Sequence, residues 1–308
     1  MIWEKKGFIF NNCLKFEWSK SHAQVPVVDV LDDRLRIYYS TRNKSNQSNI
    51  SFIDVCKTDP KKILYIHDKP ILIFGEIGTF DDSGLMPTCI ITKNKIKYLY
   101  FIGWSKRSLV PYSNSIGIAE SNDGINFKKM FNGPIITVNK IEPYFSGTAF
   151  VINEENLYKM WYLSCIKWEI INDKPEPLYN IKVAYSNDGI NWDQTGKIAI
   201  ELLDDEGGLV SASVQKINDT YYMWYGVRGK KNYRESINST YRIGMAISND
   251  GINWERKDKE SGITLSNDGW DSTMISYPYV IKVDNKILMF YNGNDFGKTG
   301  FGFAELVI

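Results

Sequence analysis

The sequence predicts an all-β fold, a five-bladed β-propeller with four antiparallel strands per blade, formed as one domain over residues 1–308. Three observations predict it. A turn motif recurs as Ser121–Phe127 (SNDGINF), Ser186–Trp192 and Ser248–Trp254 (both SNDGINW), each after a strand-like run: Ile116–Glu120, Ile181–Tyr185 and Ile243–Ile247. Weaker copies of that run at Ile50–Asp54 and Phe301–Glu305 make five units, with a period of roughly 60 residues. A second series of β-branched and aromatic runs gives the same count: Arg36–Tyr39, Tyr98–Phe101, Tyr158–Tyr162, Tyr221–Tyr225 and Ile287–Tyr291. Finally, Trp3–Phe10 (WEKKGFIF) has the form of the segments that follow the turns, while the fifth unit stops at Ile308 after its third strand. The amino-terminal strand is therefore expected to complete the last blade and leave no open edge.

Within each unit the pattern reads as an apolar strand, a polar turn, a second strand, a third strand, the DGIN turn and a fourth strand. Asp32-Asp33, Asn218-Asp219 and Asp284-Asn285 supply residue types that tolerate tight hairpins. In the DGIN turn glycine provides a positive φ and aspartate caps the turn, and the following Trp or Phe is expected to pack between neighbouring blades. A motif repeated around a ring does not mark one site, so this one is read as structural. Trp161 and Trp224, embedded in second strands, are read as core.

Composition narrows the function. Lys and Arg total 37 against 36 Asp and Glu, a net charge of +1, which argues against nucleic acid or an anionic membrane as partner. A hydrophobic content of 43% with 24% charged residues excludes wholesale disorder. The 9 Trp, 19 Tyr and 15 Phe are numerous enough that some rings are free for a ligand. No segment has the length of a membrane span or the form of a signal peptide. Cys13, Cys56, Cys89 and Cys165 form no CxxC pair, so free thiols in a reducing cytoplasm are expected, with no metal and no cofactor. There is no phosphate loop, nucleophile-elbow serine or HExxH pattern. His67, in a variable outer segment, is expected to face solvent, as are Asp68 and Asp295.

Candidate chemistry is sought where the units differ, in the residues just before each first strand. These read Ser21–Pro26, Asp81–Pro87, Glu142–Thr148, Asp204–Val210 and Trp270–Pro278. Four carry an acid at a similar place, Asp82, Glu142, Glu206 and Asp271, and the first carries His22. The expectation is an acidic funnel, whose members would repel one another unless protonated or partnered. Each acid also has a structural reading, as a cap on backbone amides. Paired acids in unlike environments are what acid/base work on a glycosidic bond requires. Trp104, Tyr144, Trp168, Trp270 and Tyr277 are candidates to stack on sugar C–H faces. Gln24, Arg42, Arg228, Asn292 and Asn294 are candidates to bind hydroxyls. The partner so implied is a small sugar, a glycan or a sugar nucleotide.

Ser21–Pro26 (SHAQVP), Tyr38–Arg42 (YYSTR), Gly78–Gly84 (GTFDDSG), Glu142–Phe145 (EPYF), the SNDGINW turns and Gly269–Pro278 (GWDSTMISYP) carry a resemblance. The chain resembles the five-bladed propellers of the glycoside hydrolases: the arabinanase and xylosidase, invertase and levansucrase, and mannoside phosphorylase groups. It is most similar to propeller proteins of bacterial surface-polysaccharide gene clusters. The resemblance implies a carbohydrate-active enzyme working on a glycosyl bond, with Glu142 and Glu206 at the acids of the third and fourth blades. Glu206 would donate the proton and Glu142 orient the substrate. His22 and Gln24 stand where those families carry a first-blade aspartate, so Asp82 or Asp271 would replace the base and His22 would bind substrate. A phosphorylase would need a basic cluster, for which Arg42, Arg228 and Arg242 are the candidates. A non-catalytic glycan- or sugar-nucleotide-binding propeller and a glycosyl-transferring enzyme are the alternatives.

Overall fold

The computed structural model describes residues 1–11, 16–154 and 157–307, and they are almost entirely β-structure. After β1 (Ile2–Phe10), the chain makes β2 (Ser21–Val30), β3 (Arg34–Arg42), β4 (Ser48–Cys56) and the short β5 (Ile63–Ile66), an antiparallel sheet in sequence order. β6 (Gly84–Lys93), β7 (Ile96–Lys106), β8 (Tyr112–Ser121) and β9 (Lys128–Lys129) form the next. β10 (Ser146–Glu154), β11 (Leu157–Ile171), β12 (Lys174–Ser186) and β13 (Ile198–Ile200) follow, then β14 (Glu206–Ile217), β15 (Thr220–Gly229), β16 (Arg242–Ser248) and β17 (Glu255–Arg256). These two groups are joined by a single parallel bridge, Tyr179 to Gly208. The last sheet holds β18 (Ser276–Val283), β19 (Lys286–Asn292) and β20 (Phe301–Val307), with β1 antiparallel along the outer side of β20 from Ile2–Val307 to Phe10–Phe301.

The first strands lie against one another in sequence: β2 on β6, β6 on β10, β10 on β14, β14 on β18 and β18 on β2. Side chains stitch them together. The Thr88 hydroxyl donates to the Ala149 carbonyl at 2.8 Å, the Ser211 amide to Thr148 Oγ1 at 2.8 Å, and the Val280 amide to Ser213 Oγ at 2.8 Å. Between the last unit and the first, Asn292 accepts from the Val25 amide at 2.7 Å and donates to the Ala23 carbonyl at 2.6 Å. Asn292 is fully buried and outside the lining of the cavity where the first strands meet, and its contacts here are those of a fastener.

The SNDGIN turns are built as three copies of one network. In the second, Ser186 Oγ accepts from the Asp188 and Gly189 amides, and Asp188 Oδ1 accepts from the Ile190 and Asn191 amides. Gly124, Gly189 and Gly251 sit at φ 69°, 83° and 69°, a region only glycine adopts freely. Each turn docks on the second strand of the preceding unit. Tyr38 donates to the Gly124 carbonyl at 2.6 Å and Tyr100 to the Gly189 carbonyl at 2.8 Å. The aromatic that follows each turn packs on the same strand: Phe127 on Tyr38, Trp192 on Tyr100 and Trp254 on Trp161. Trp3 packs likewise on Trp224 of β15. Trp161 and Trp224 are both wholly buried.

One expectation is corrected outright. His67 does not face solvent but is buried, stacked on Phe52 at 4.4 Å and hydrogen-bonded to the Tyr65 hydroxyl at 3.0 Å. Burial holds its pKa below the ordinary value, so it fills the edge of this sheet as a neutral ring. Cys56, Cys89 and Cys165 are free, and burial pushes the Cys89 and Cys165 thiols up to about 12, where they are unreactive. Cys13 and Ile308 lie outside the described residues. No described helix is long and apolar enough to cross a membrane.

Candidate functional site

A cavity of about 630 Å³ opens where the first strands meet. Every first strand carries a register shift near its start, at Gln24–Val27, Pro87–Cys89, Ser146–Ala149, Val210–Ser213 and Ser276–Tyr279. Such bulges break strict alternation and re-aim side chains. Gln24, Thr148, Val210 and Tyr277, at these shifts, and Met86, just before one, line the cavity. Val25, Ser211 and Tyr277 are held at φ 52°, 52° and 53°, a conformation that costs on the order of 1–3 kcal/mol for a residue with a side chain and clusters at functional sites.

The wall is aromatic on one side. Trp104 lies on Tyr112 at 4.8 Å, and Tyr112 continues to Phe145 at 5.3 Å. Trp104 and Asn114 face each other across the β7–β8 ladder. Trp104 Nε1 and Asn114 Oδ1 are both buried, with no hydrogen-bond partner among the described residues. The ring contacts continue from Phe145 to Tyr179 at 6.4 Å; the Tyr179 and Tyr241 hydroxyls are hydrogen-bonded to each other, and Arg228 Nε donates to Tyr179 at 2.9 Å. Arg228 itself is buried behind the wall, its guanidinium 3.9 Å from the Tyr233 ring centre and bonded to the Pro177 and Gly229 carbonyls.

Charge on this wall is of one sign. Its described lining includes Arg42, Lys106 and Arg234 and contains neither Asp nor Glu. Arg234 is paired with Glu176. Arg42 is not paired: its Nε donates to Gln24 Oε1 at 3.0 Å and its Nη1 to Asn46 Oδ1 at 3.1 Å. Burial lowers the Arg42 pKa. Beside it, His22 accepts or shares a proton with Ser21 Oγ at 2.8 Å and is pushed down to about 4, by burial first and then by the charges of Arg42 and Lys298.

The expected acidic funnel is therefore corrected: the four acids do not converge on the cavity but are each clasped locally. Glu142 is buried and accepts from the hydroxyls of Tyr162 and Ser164, both at 2.7 Å, with Lys182 at 3.5 Å. Asp271 accepts from Tyr291 at 2.8 Å and Lys5 at 2.7 Å. Glu206 accepts from the Leu203 amide and pairs with Arg256, which also holds Asp258 against Tyr225. Asp82 accepts from the Gly78 amide and the Ser83 hydroxyl. Its neighbour Asp81 is the buried acid of this unit, paired with Lys129. Glu206 and Asp82 each cap a backbone amide, as the structural reading expects, whereas Glu142 and Asp271 are held by side chains alone.

Of the other candidates, Gln24, Arg42, Trp104 and Tyr277 line the cavity and Arg228 backs it. Trp168 packs outside the lining on Tyr112 and Phe145. Trp270 lies on Tyr291 and Phe8. Tyr144 is exposed and outside the lining, and Asn294 caps the Thr273 and Met274 amides. Arg242 donates to the Ile237, Tyr241 and Thr273 carbonyls. Sequence reasoning missed Ser48, Asn114, Tyr179 and Tyr241. All four stand two residues before the third-strand motif of their units and all line the cavity, so the repeat itself held that signal.

Fold and cavity together define a propeller of the kind found in glycoside hydrolases and mannoside phosphorylases. A solved glycoside hydrolase superposes with a TM-score of 0.74 at 17% identity, over 98% of this chain and 90% of that one. A member of the GH130 family of mannoside phosphorylases, described as containing glycoside hydrolases that target β-1,2 mannosidic linkages in Candida mannan, gives 0.71 at 13% identity over 98% and 93%. In sequence, the chain is 27% identical over 173 residues to the β-1,2-mannobiose phosphorylase of Thermoanaerobacter sp. (strain X514), covering 53% of each. No family model matches. The chain belongs to the family of Rv1502, an uncharacterized protein of Mycobacterium tuberculosis (strain H37Rv), to which it is 35% identical over 308 residues and 99% of each chain.

Proposed function

We propose that the five four-stranded units are the blades of one closed propeller whose central cavity takes a saccharide, and that the protein acts on a glycosyl group there. The observation that carries this reading is the pair formed by Trp104 and Asn114. A buried indole N–H and a buried amide oxygen, adjacent on the wall and unsatisfied by the described residues, suit a group that both accepts and donates. A sugar hydroxyl is such a group, and the rings of Trp104 and Tyr112 beside it suit the apolar C–H faces of the same molecule. A volume of about 630 Å³ is in the range of small-ligand sites and accommodates a mono- or disaccharide.

Binding without bond cleavage is the second reading, favoured by the absence of Asp and Glu from the described lining. The two are separated by incubating the protein with a library of mono- and oligosaccharides and their activated forms, measuring binding by calorimetry and products by mass spectrometry. Product formation supports action on a glycosyl bond; binding with no product supports the second reading. Trp104→Ala is expected to weaken saccharide binding at least about tenfold. Undiminished binding by that variant overturns the placement of the saccharide in this cavity.

A further inference from the structure

The outer strand of the first sheet is unlike the outer strands of the others. Among the described strands β5 pairs with β4 alone, and its other edge is open. An open edge is a template for another chain, and proteins ordinarily blunt it with charge or cover. The other sheets do so: β9 is Lys128–Lys129, β17 is Glu255–Arg256, β1 carries Glu4, Lys5 and Lys6, and β13 buries Ala199 and Ile200. β5 reads Ile-Leu-Tyr-Ile without a charge, and Leu64, Tyr65 and Ile66 are 49%, 46% and 37% exposed. The His67 amide turns inward to the Phe52 carbonyl at 3.1 Å, so strand alternation turns the amide and carbonyl of Ile66 outward. Past Pro70 the surface stays apolar, with Ile73 82% exposed beside a groove of about 490 Å³ lined by Ile71, Leu72 and Phe74.

We propose that β5 pairs with β5 of a second copy of this chain, antiparallel about a two-fold axis at Tyr65, so that the protein is a dimer. The occupant is named by the segment itself. Pro60–Pro70 (PKKILYIHDKP) is self-complementary about Tyr65, which is what an isologous interface requires. Pairing centred there sets Tyr65 against its own copy, Leu64 against Ile66 and Lys62 against Asp68, the last two contacts each made twice. Lys62 and Asp68 are exposed, and neither is ion-paired among the described residues. Lys61 meets Lys69 only at the ends of the ladder, where both are exposed and splay into water. Pro60 and Pro70 have no amide hydrogen to donate, so they confine the pairing to Lys61–Lys69. A two-fold pair consumes both open edges and leaves none for a third chain. The dimer is independent of the saccharide reading, because β5 lies at the outer side of its sheet and outside the cavity lining.

The test is sedimentation velocity of the whole chain at roughly 1–100 μM, where a dimer of micromolar or tighter Kd is populated. Wild type is expected to sediment as a dimer. Leu64→Lys places a charge in the ladder twice and should weaken dimerisation at least about tenfold. Lys62→Asp and Asp68→Lys each set like charges opposite one another and should each weaken it about tenfold. Mixing those two variants should restore the dimer, because each chain then offers the other opposite charges at both contacts. Cooperative thermal unfolding of each variant shows that its chain is folded; should Leu64→Lys fail there, the two charge variants at exposed positions still decide. A wild type that stays monomeric throughout overturns the proposal, and so does a dimer that all three variants leave intact. Mixed variants that associate no better than either alone overturn the antiparallel register about Tyr65. Growth beyond the dimer with rising concentration overturns the closed two-fold pair.

Discussion

The hydroxyl of Tyr162 donates to Glu142 at 2.7 Å, and both groups are buried. Burial, and then the adjacent acid, hold the Tyr162 pKa above its ordinary value, so it remains a donor at any pH the fold survives. Tyr291 stands in the same relation to Asp271, and Tyr225 to Asp258. In the second unit the equivalent residue is Phe101, and Lys129 takes over by pairing with Asp81. Glu142 and Asp271 are thus pins that fix loops to second strands, while Asp81 and Glu206 are fixed to fourth strands through Lys129 and Arg256. Tyr162→Phe, which leaves a buried carboxylate short of one donor, is expected to cost about 1–3 kcal/mol in urea unfolding. It should leave saccharide affinity unchanged; a variant as stable as the wild type would remove the pin.

Glu206→Gln separates pinning from catalysis. If Glu206 only anchors its loop to Arg256, turnover on any identified substrate should stay within a few-fold while the midpoint of unfolding falls. A loss of turnover of the order of a hundredfold or more, with normal substrate affinity, would restore Glu206 as a proton donor.

The amino-terminal strand makes a thermodynamic prediction. Trp3 is buried and stands edge-on to Trp224, with ring centres 5.3 Å apart and planes at 79°. Trp3→Ala is expected to destabilise by about 3–5 kcal/mol. Deleting residues 1–10 removes the whole ladder on β20 and should abolish cooperative unfolding. A truncated chain with an unchanged melting temperature contradicts this.

His22 gives a pH dependence with a definite sign. Its folded pKa, about 4, lies below the ordinary value of 6.5. The unfolded chain therefore binds a proton that the folded one refuses as pH drops from 6.5 towards 4, and stability falls in that window. His22→Gln should lose this component. Matched at pH 7.5, wild type is expected to fall below the variant by about 1 kcal/mol at pH 5, allowing for the partial exposure of the ring. Parallel stability curves for the two proteins across pH 4–7 would mean that His22 titrates normally.

Asp188 tests the repeated turn. Burial is the largest single influence and pushes its carboxyl up, but the Asn191 and Ile190 amides and the Asn191 and Ser186 side chains together outweigh it and hold the group well below the usual carboxylate range. Asp188→Ala is expected to cost about 1 kcal/mol, the value of a capping side chain. Ligand affinity should not change, since Asp188 lies outside the cavity lining.

Much of the architecture was legible because it is written several times. The strand runs, the hairpin turns, the docking of Phe127, Trp192 and Trp254 and the pairing of Trp3–Phe10 with the last sheet all follow from repetition. The site was less legible, and the reason is local geometry. An acid just before a strand points wherever its partners draw it, and Tyr162, Tyr291 and Arg256 draw Glu142, Asp271 and Glu206 away from the cavity. Bulges then shift the alternation that would have identified lining residues, as between Gln24 and Val27. Arg42 and Trp104 were recognisable because they hold equivalent places late in regular second strands. His67 was misread because a histidine in an outer strand gives no sign that Phe52 lies flat beneath it.

The pairing of β1 with β20 has a consequence for biogenesis. Translation delivers Ile2–Phe10 long before Phe301–Val307, yet these are hydrogen-bonded neighbours. During synthesis the leading segment therefore emerges from the ribosome without its mate and waits while every intervening sheet is made. Its buried faces, Trp3, Ile9 and Phe10, are exposed for that interval, a natural target for a nascent-chain chaperone. The last sheet is complete only once Phe301–Val307 has left the ribosome and paired with the leading segment.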